Sequence, residues 1–179
     1  MAADGDPTGP PGAAEFDAFV REFEDMVYAS AVRLLAHEAD AEDIAQTVFL
    51  RAFERFPELR GQATVAGWLK TVTTNLCLNH LERYRARWRF FSELGDDDAA
   101  GYEPAADGPG PEQVLDQAER QARLEAALRG LPPHQRVPLV LFHFEGRSYD
   151  DIARLVGVSV AKVKTDMHRG RLALRRVLA

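Results

Sequence analysis

One cysteine in 179 residues excludes an internal disulfide, and it leaves no thiolate pair to hold a structural zinc ion. Cys77 sits in an apolar stretch of a predicted helix and reads as a small core residue. No apolar run approaches the roughly 20 residues that a membrane span needs, so the chain is not expected to insert in a membrane. Residues 1–14 are Gly, Pro, Ala and Asp rich. They lack the basic start and apolar centre of a secretory signal, and they read as a disordered tail on a cytoplasmic protein. Strand signals are nearly absent. So are the patterns of covalent chemistry. The five histidines (His37, His80, His134, His143, His168) form no HxxxH pair, and there is no phosphate-cradling glycine loop and no GxSxG elbow. Asp150 and Asp151 fall in the first turn of a predicted helix, where capping accounts for them. No catalytic residue, metal site or cofactor is expected, and the chain does not read as an enzyme.

Charge is unevenly placed. The net charge of −6 argues weakly against a polyanionic partner. Yet residues 1–25 hold seven acids and one base, and residues 92–112 hold seven acids and no base. Residues 83–89 hold four arginines, and residues 162–176 hold six bases against the single acid Asp166. Two separated basic patches suggest two points of contact with nucleic acid, because phosphates meet local charge and not the mean.

Helical periodicity fills most of the remainder. Phe16, Phe19, Val20, Phe23, Met26, Val27, Leu34 and Leu35 mark one amphipathic helix from Glu15 to about Ala36. A second opens at Asp40 with an acidic first turn that suits the helix dipole, and Pro57 is expected to end it. Residues 57–65 read as a loop. A third helix is expected from about Ala66 to Trp88, with Trp68, Leu69, Val72, Leu76, Leu78 and Leu81 inward. Residues 95–111 carry three prolines, four glycines and the acid run, too little apolar surface to fold, and so form a flexible linker. Helix resumes near Pro111, runs to Arg129 and starts again after Leu131. Pro138 is expected to kink that next helix. The expected fold is all-α: two small helical domains (15–91 and 113–179) joined by an acidic linker (92–112), the second ending in a helix-turn-helix.

That last motif is the most informative stretch. Ser148 with Asp151 three residues on makes a capping-box pattern, Gly157 can end the helix at positive φ, and Ser159 can cap the next. In the second helix Val163, Met167, Gly170 and Leu174 recur on an inward face, while Lys164, His168, Arg171 and Arg175 recur on another. A helix that packs on one side and enters the major groove on the other requires this division. Upstream, Lys70, Thr71, Thr74, Asn75, Asn79 and Arg83 are expected on one side of the third helix. Their amides and hydroxyls can read splayed bases while arginine holds phosphate.

Four blocks in this order resemble the extracytoplasmic-function sigma factors of bacterial RNA polymerase: residues 40–53, the stretch from Arg60-Gly61 through Asn75-Leu76, Leu131-Pro132-Pro133 with residues 145–153, and residues 159–171. The resemblance covers nearly everything from Glu15 to Leu178 except the linker. It implies a promoter-specificity subunit with no chemistry of its own. Asp43, Gln46, Phe49 and Leu50 would meet core polymerase at the clamp helices of its largest subunit, and the second domain would meet the flap of the second largest. Lys70, Thr74, Asn75, Asn79, Arg83 and Arg85 would bind the melted minus-ten strand. Ser159, Lys162, Lys164, Thr165, His168, Arg169 and Arg171 would meet the minus-thirty-five duplex, with Arg171 and Arg175 on phosphate. An anti-sigma factor would be the regulating partner, and the protein would be cytoplasmic, nucleoid-associated when bound to polymerase. Three residues depart from the family pattern: Thr71 where a base is common, Lys162 for threonine, and Asp166 where arginine is frequent. A stand-alone helix-turn-helix regulator is the alternative; it leaves residues 40–53 and 68–89 without a role.

Overall fold

The structure is a computed structural model that describes residues 12–81 and 117–178. The Arg83–Arg89 patch, the linker and the helix start near Pro111 lie outside the described residues. The chain divides into two compact units between Leu81 and Glu82. All regular structure among the described residues is helical: α1 (Ala13–Leu35), α2 (Glu38–Glu54), α3 (Phe56–Leu59), α4 (Val65–His80), α5 (Gln117–Arg129), α6 (Pro133–His143), α7 (Tyr149–Val156) and α8 (Val160–Leu178).

In the first unit α1, α2 and α4 pack on one another. Each buries a stripe at helical spacing. On α2 it is Ala41, Ile44, Val48 and Ala52; on α4 it is Val65, Leu69, Thr73 and Cys77, widened by Thr74 and Leu78. Fully burying one such Val, Ile or Leu side chain favours folding by about 1.5–3 kcal/mol. The helix ends are set by local chemistry. Ala36 closes α1 in the left-handed region (φ 57°), its N–H returning to the Val32 carbonyl. The His37 ring accepts from the Asp40 N–H and so caps α2. Ala13 and Ala14, expected in the tail, belong to the first turn of α1. Pro57 does not open a loop. Proline is tolerated in a first turn, and here it sits inside the short α3, whose Phe56 and Leu59 are buried. Phe56 joins an aromatic cluster with Phe16, Phe19 and Phe53, edge-on at centroid distances of 4.9–5.2 Å. Trp68, Val72 and Leu76, expected in the core, are only half-buried, and Thr73, Thr74 and Cys77 take the inner positions.

In the second unit α6 is central, with a continuous buried run from Arg136 to Leu141. Pro138 removes one hydrogen bond, yet α6 runs through it as a single helix to His143. Arg136 is buried and its guanidinium donates to the Leu131 carbonyl at 2.6 Å, tying the start of α6 to the preceding turn. Helix α8 packs against α5, α6 and α7. At Gly170 it comes close to α6: a Cβ there would lie 2.7 Å from Leu139 Cδ1 and 3.3 Å from Gln135 Cβ. Glycine at this position lets the two backbones meet.

Candidate nucleic-acid and partner surfaces

Three surfaces emerge, two on the first unit. Between α1 and α2 runs a groove of about 900 Å³ lined by Phe16, Val20, Phe49, Leu50 and Phe53, with Glu24, Asp25 and Glu42 also in its lining. Leu50 is 66% exposed and Phe53 48%, which makes them the two large apolar residues left open among the described residues of this unit. Exposed apolar side chains gathered in one groove mark a site for a partner. Of the residues expected to meet polymerase, Gln46, Phe49 and Leu50 line the groove. Asp43 does not line it; it is exposed on α2, where its carbonyl accepts the Thr47 hydroxyl. Phe16, Val20 and Phe53 were not singled out as partner contacts from sequence. Phe53 follows Phe49 by four residues, so the helical repeat held that signal.

The second surface is the outer side of α4. Thr71, Asn75 and Asn79 recur every fourth residue and are all exposed, with half-buried Lys70 on their flank. Both asparagine amides face solvent on a helix whose reverse side is packed. Thr74 is the correction: it is 1% exposed, on the inner side, and its hydroxyl has no hydrogen-bond partner. The expected polar side therefore loses this residue, because α4 packs against both α1 and α2 and buries a wider wedge than its apolar residues alone mark. Leading into α4, Gly61 takes positive φ (73°) and residues 61–64 are exposed. Arg55 lies 5.9 Å above the Trp68 ring, within cation–π range. Arg83 and Arg85 lie outside the described residues.

The third surface is carried by α7 and α8. The Ser148 Oγ accepts from the Asp151 N–H at 3.1 Å and donates to the Asp151 carboxylate at 2.6 Å. These bonds, with Arg154 alongside, hold the Asp151 carboxyl below its ordinary range. Gly157 ends α7 at φ 71°, and the Ser159 Oγ accepts from the Lys162 N–H at 3.2 Å at the head of α8. Ser159 is thus a cap as well as an exposed residue near the turn. Val163, Met167 and Gly170 face inward as expected, whereas Leu174, expected with them, is only half-buried. Lys164 is exposed, its ammonium 5.7 Å above the Tyr149 ring, and Tyr149 stacks on Phe142. Thr165, His168, Arg169 and Arg171 are half-buried on the same helix. Thr165 donates to the Ala161 carbonyl, and Arg171 lies 3.5 Å from His143 Nε2. Lys162 and Asp166 stand apart from this set. Asp166 is buried, and Lys162 Nζ lies 2.9 Å from its Oδ1.

Two histidines of α6 are expected to make the stability of this unit depend on pH. Burial lowers the pKa of His134 below its ordinary 6.5, against the pull of Asp166, and burial together with Arg171 lowers that of His143. A group held neutral by the fold binds fewer protons folded than unfolded. Its stabilising effect is therefore complete above pH 6.5 and is lost as pH falls through the lowered folded value. Melting temperature should accordingly fall as pH drops from about 7.5 to 5.5, and a His134→Gln, His143→Gln double variant should flatten that slope. Equal slopes for the two proteins would show that other groups control it.

No described helix is long and apolar enough to cross a membrane. Known proteins carry the same two-part pattern. A family model for sigma-70 region 2 matches residues 19–88, and one for sigma-70 region 4 matches residues 121–174. The ECF RNA polymerase sigma factor SigE of Mycolicibacterium smegmatis is 40% identical over 97% of this chain, which spans 66% of that relative. The RNA polymerase sigma-H factor of Pseudomonas aeruginosa is 30% identical, covering 91% of this chain and 86% of its own length. The ECF sigma factor SigW of Bacillus subtilis is also 30% identical, covering 90% of this chain and 89% of its own. Among solved structures, the sigma factor RpoE of Bartonella quintana, crystallised with the anti-sigma factor NepR, shares the fold at a TM-score of 0.50 and 23% identity, over 93% of this chain and 98% of that one. With matched regions 2 and 4 in order, and relatives aligned over most of their length, the chain belongs to the extracytoplasmic-function sigma factors of RNA polymerase.

Proposed function

We propose that the α1–α2 groove seats the clamp helices of the polymerase largest subunit, that α4 binds the melted minus-ten strand, and that α8 enters the minus-thirty-five major groove. The single observation that carries this reading is that the first unit leaves open both an apolar groove and a strip of amides. Core polymerase needs the first, and unpaired bases need the second. In roles by residue, Gln46, Phe49 and Leu50 make the polymerase contact with Asp43 on its flank, and Asn75 and Asn79 pair with base edges while Lys70 holds phosphate. Lys164, Thr165, His168 and Arg169 meet the minus-thirty-five duplex in the major groove, and Arg171 and Arg175 meet backbone phosphate. The second domain docks on the flap of the second-largest subunit. An anti-sigma factor masks one or both units until released. The protein acts in the cytoplasm, at the nucleoid when bound to polymerase, and carries out no covalent step. A stand-alone regulator would use only α7 and α8 and would leave the groove and the amide strip idle.

The test separates binding from initiation. An Asn75→Ala variant should co-purify with core polymerase as the native chain does, yet run-off transcription from the DNA upstream of its own gene should fall at least about tenfold, the cost of losing a good base-edge contact. Full transcription by Asn75→Ala would remove α4 from the reading of the minus-ten strand.

A further inference from the structure

We propose that Asp166 is a specificity-determining residue that withholds Lys162 from DNA, so that α8 meets the duplex with one cation fewer than its sequence offers. The proposal rests on the reading of α8 as the duplex-contacting helix.

Lys162 and Asp166 are one helical turn apart, with Nζ 2.9 Å from Oδ1. The contact is an ion pair, and the buried Oδ1 accepts no well-aligned hydrogen bond. The Asp166 side chain is only 6% exposed, and the Lys162 side chain, unlike the exposed Lys164, is only 22% exposed. At 3.6 residues per turn, Lys162 points about 160° round the helix from Lys164 and lies within about 20° of Arg169, on the flank of the proposed contact face. Its backbone N–H is committed to the Ser159 cap at the head of α8. A lysine in a first turn that enters a groove has a stem long enough to reach a phosphate; the carboxylate holds this one along the helix flank instead.

Stability does not explain the pair. Drawing a carboxylate and an ammonium out of water costs about what their attraction returns, so such pairs are often neutral against apolar replacements. What the pair does change is charge. Each lysine that neutralises a phosphate steepens the dependence of log K on log salt by about 0.9, and it adds affinity for every sequence alike. Withholding one cation therefore lowers binding to random DNA and leaves base-reading contacts untouched. The separation of non-specific from specific affinity widens accordingly.

The test is fluorescence anisotropy of the full chain on a random-sequence duplex across 30–200 mM KCl. Lys164→Ala should flatten the salt slope by about one, which checks the reading of α8 itself. Lys162→Gln should leave the slope unchanged. Asp166→Asn should steepen it by about one and tighten binding several-fold, and the Asp166→Asn, Lys162→Gln double variant should return both to native. If Lys162→Gln flattens the slope as Lys164→Ala does, Lys162 already lies on phosphate and the proposal is overturned. A folded Asp166→Asn variant with native slope overturns it equally. A Lys164→Ala variant with native slope would instead remove the duplex reading of α8, and the proposal with it. Should Asp166→Asn fail to fold by circular dichroism, the Lys162→Gln arm still decides.

Discussion

Leu50→Asp should cost the chain about 100-fold in affinity for core RNA polymerase while leaving its thermal unfolding within a degree or two of native. Leu50 stands 66% exposed at the edge of the α1–α2 groove, so little native packing is lost when it changes. If the groove seats polymerase as proposed, Leu50 would be covered there together with Phe49 and Phe53, which line the same groove. An aspartate there must be desolvated against an apolar partner, and the groove is already flanked by Glu24, Asp25 and Glu42. Losing an interface anchor of this kind costs roughly 2–4 kcal/mol, and 2.7 kcal/mol corresponds to about 100-fold. Competition of native and variant chains for a fixed amount of core polymerase reads the ratio directly. Equal competition would mean that the groove serves something other than polymerase. The Asn75→Ala variant provides the contrast, since its lesion lies on α4 and should leave this competition unchanged.

The second large effect is on stability. Gly170→Val should weaken the second unit by about 2–3 kcal/mol. A β-carbon at position 170 would lie 2.7 Å from Leu139 Cδ1, 3.3 Å from Gln135 Cβ and 3.4 Å from the Gln135 carbonyl. Leu139 is itself buried and has little room to retreat. Replacing glycine inside a helix ordinarily gains up to about 1 kcal/mol in propensity, less for a β-branched residue, but overpacking costs about 1–3 kcal/mol for small intrusions and valine adds two further carbons. The clash prevails because it forces α6 and α8 apart at Gly170. Hydrogen exchange of the full chain localises the effect. Amides of α6 and α8 should lose about 30- to 150-fold in protection, the equivalent of 2–3 kcal/mol, while those of α1 and α2 stay at native values. Unchanged protection in α6 would show that the contact yields without cost.

The elements that local chemistry defines were legible in the sequence. Ser148, Gly157 and Ser159 set the bounds of α7 and the start of α8 because capping acts within a few residues. The inward set Val163, Met167 and Gly170 followed from spacing alone. What spacing could not supply was width. Helix α4 touches two neighbours, so its buried wedge takes in Thr73 and Thr74 beyond the apolar stripe, and Thr74 moved from the expected DNA side to the core. Spacing carried no signal for the burial of Asp166; only the packed structure shows it drawn in beside Lys162. Pro57 was read as a stop, whereas its position within α3 is one where a missing N–H costs nothing. The groove was legible only in part. Gln46, Phe49 and Leu50 came from family likeness, while Phe16 and Val20 arrive from α1, an element distant in sequence.

The most direct test of the whole account transcribes total genomic DNA of the source organism with its purified core polymerase, with and without this chain, and maps the 5′ ends of the RNA by sequencing. Promoter selection by this protein predicts a small set of discrete 5′ ends that appear only when it is present and that share sequence elements near minus ten and minus thirty-five. Leu50→Asp should abolish them, and Asn75→Ala should deplete them. Identical 5′-end maps with and without the chain would contradict promoter recognition as its function.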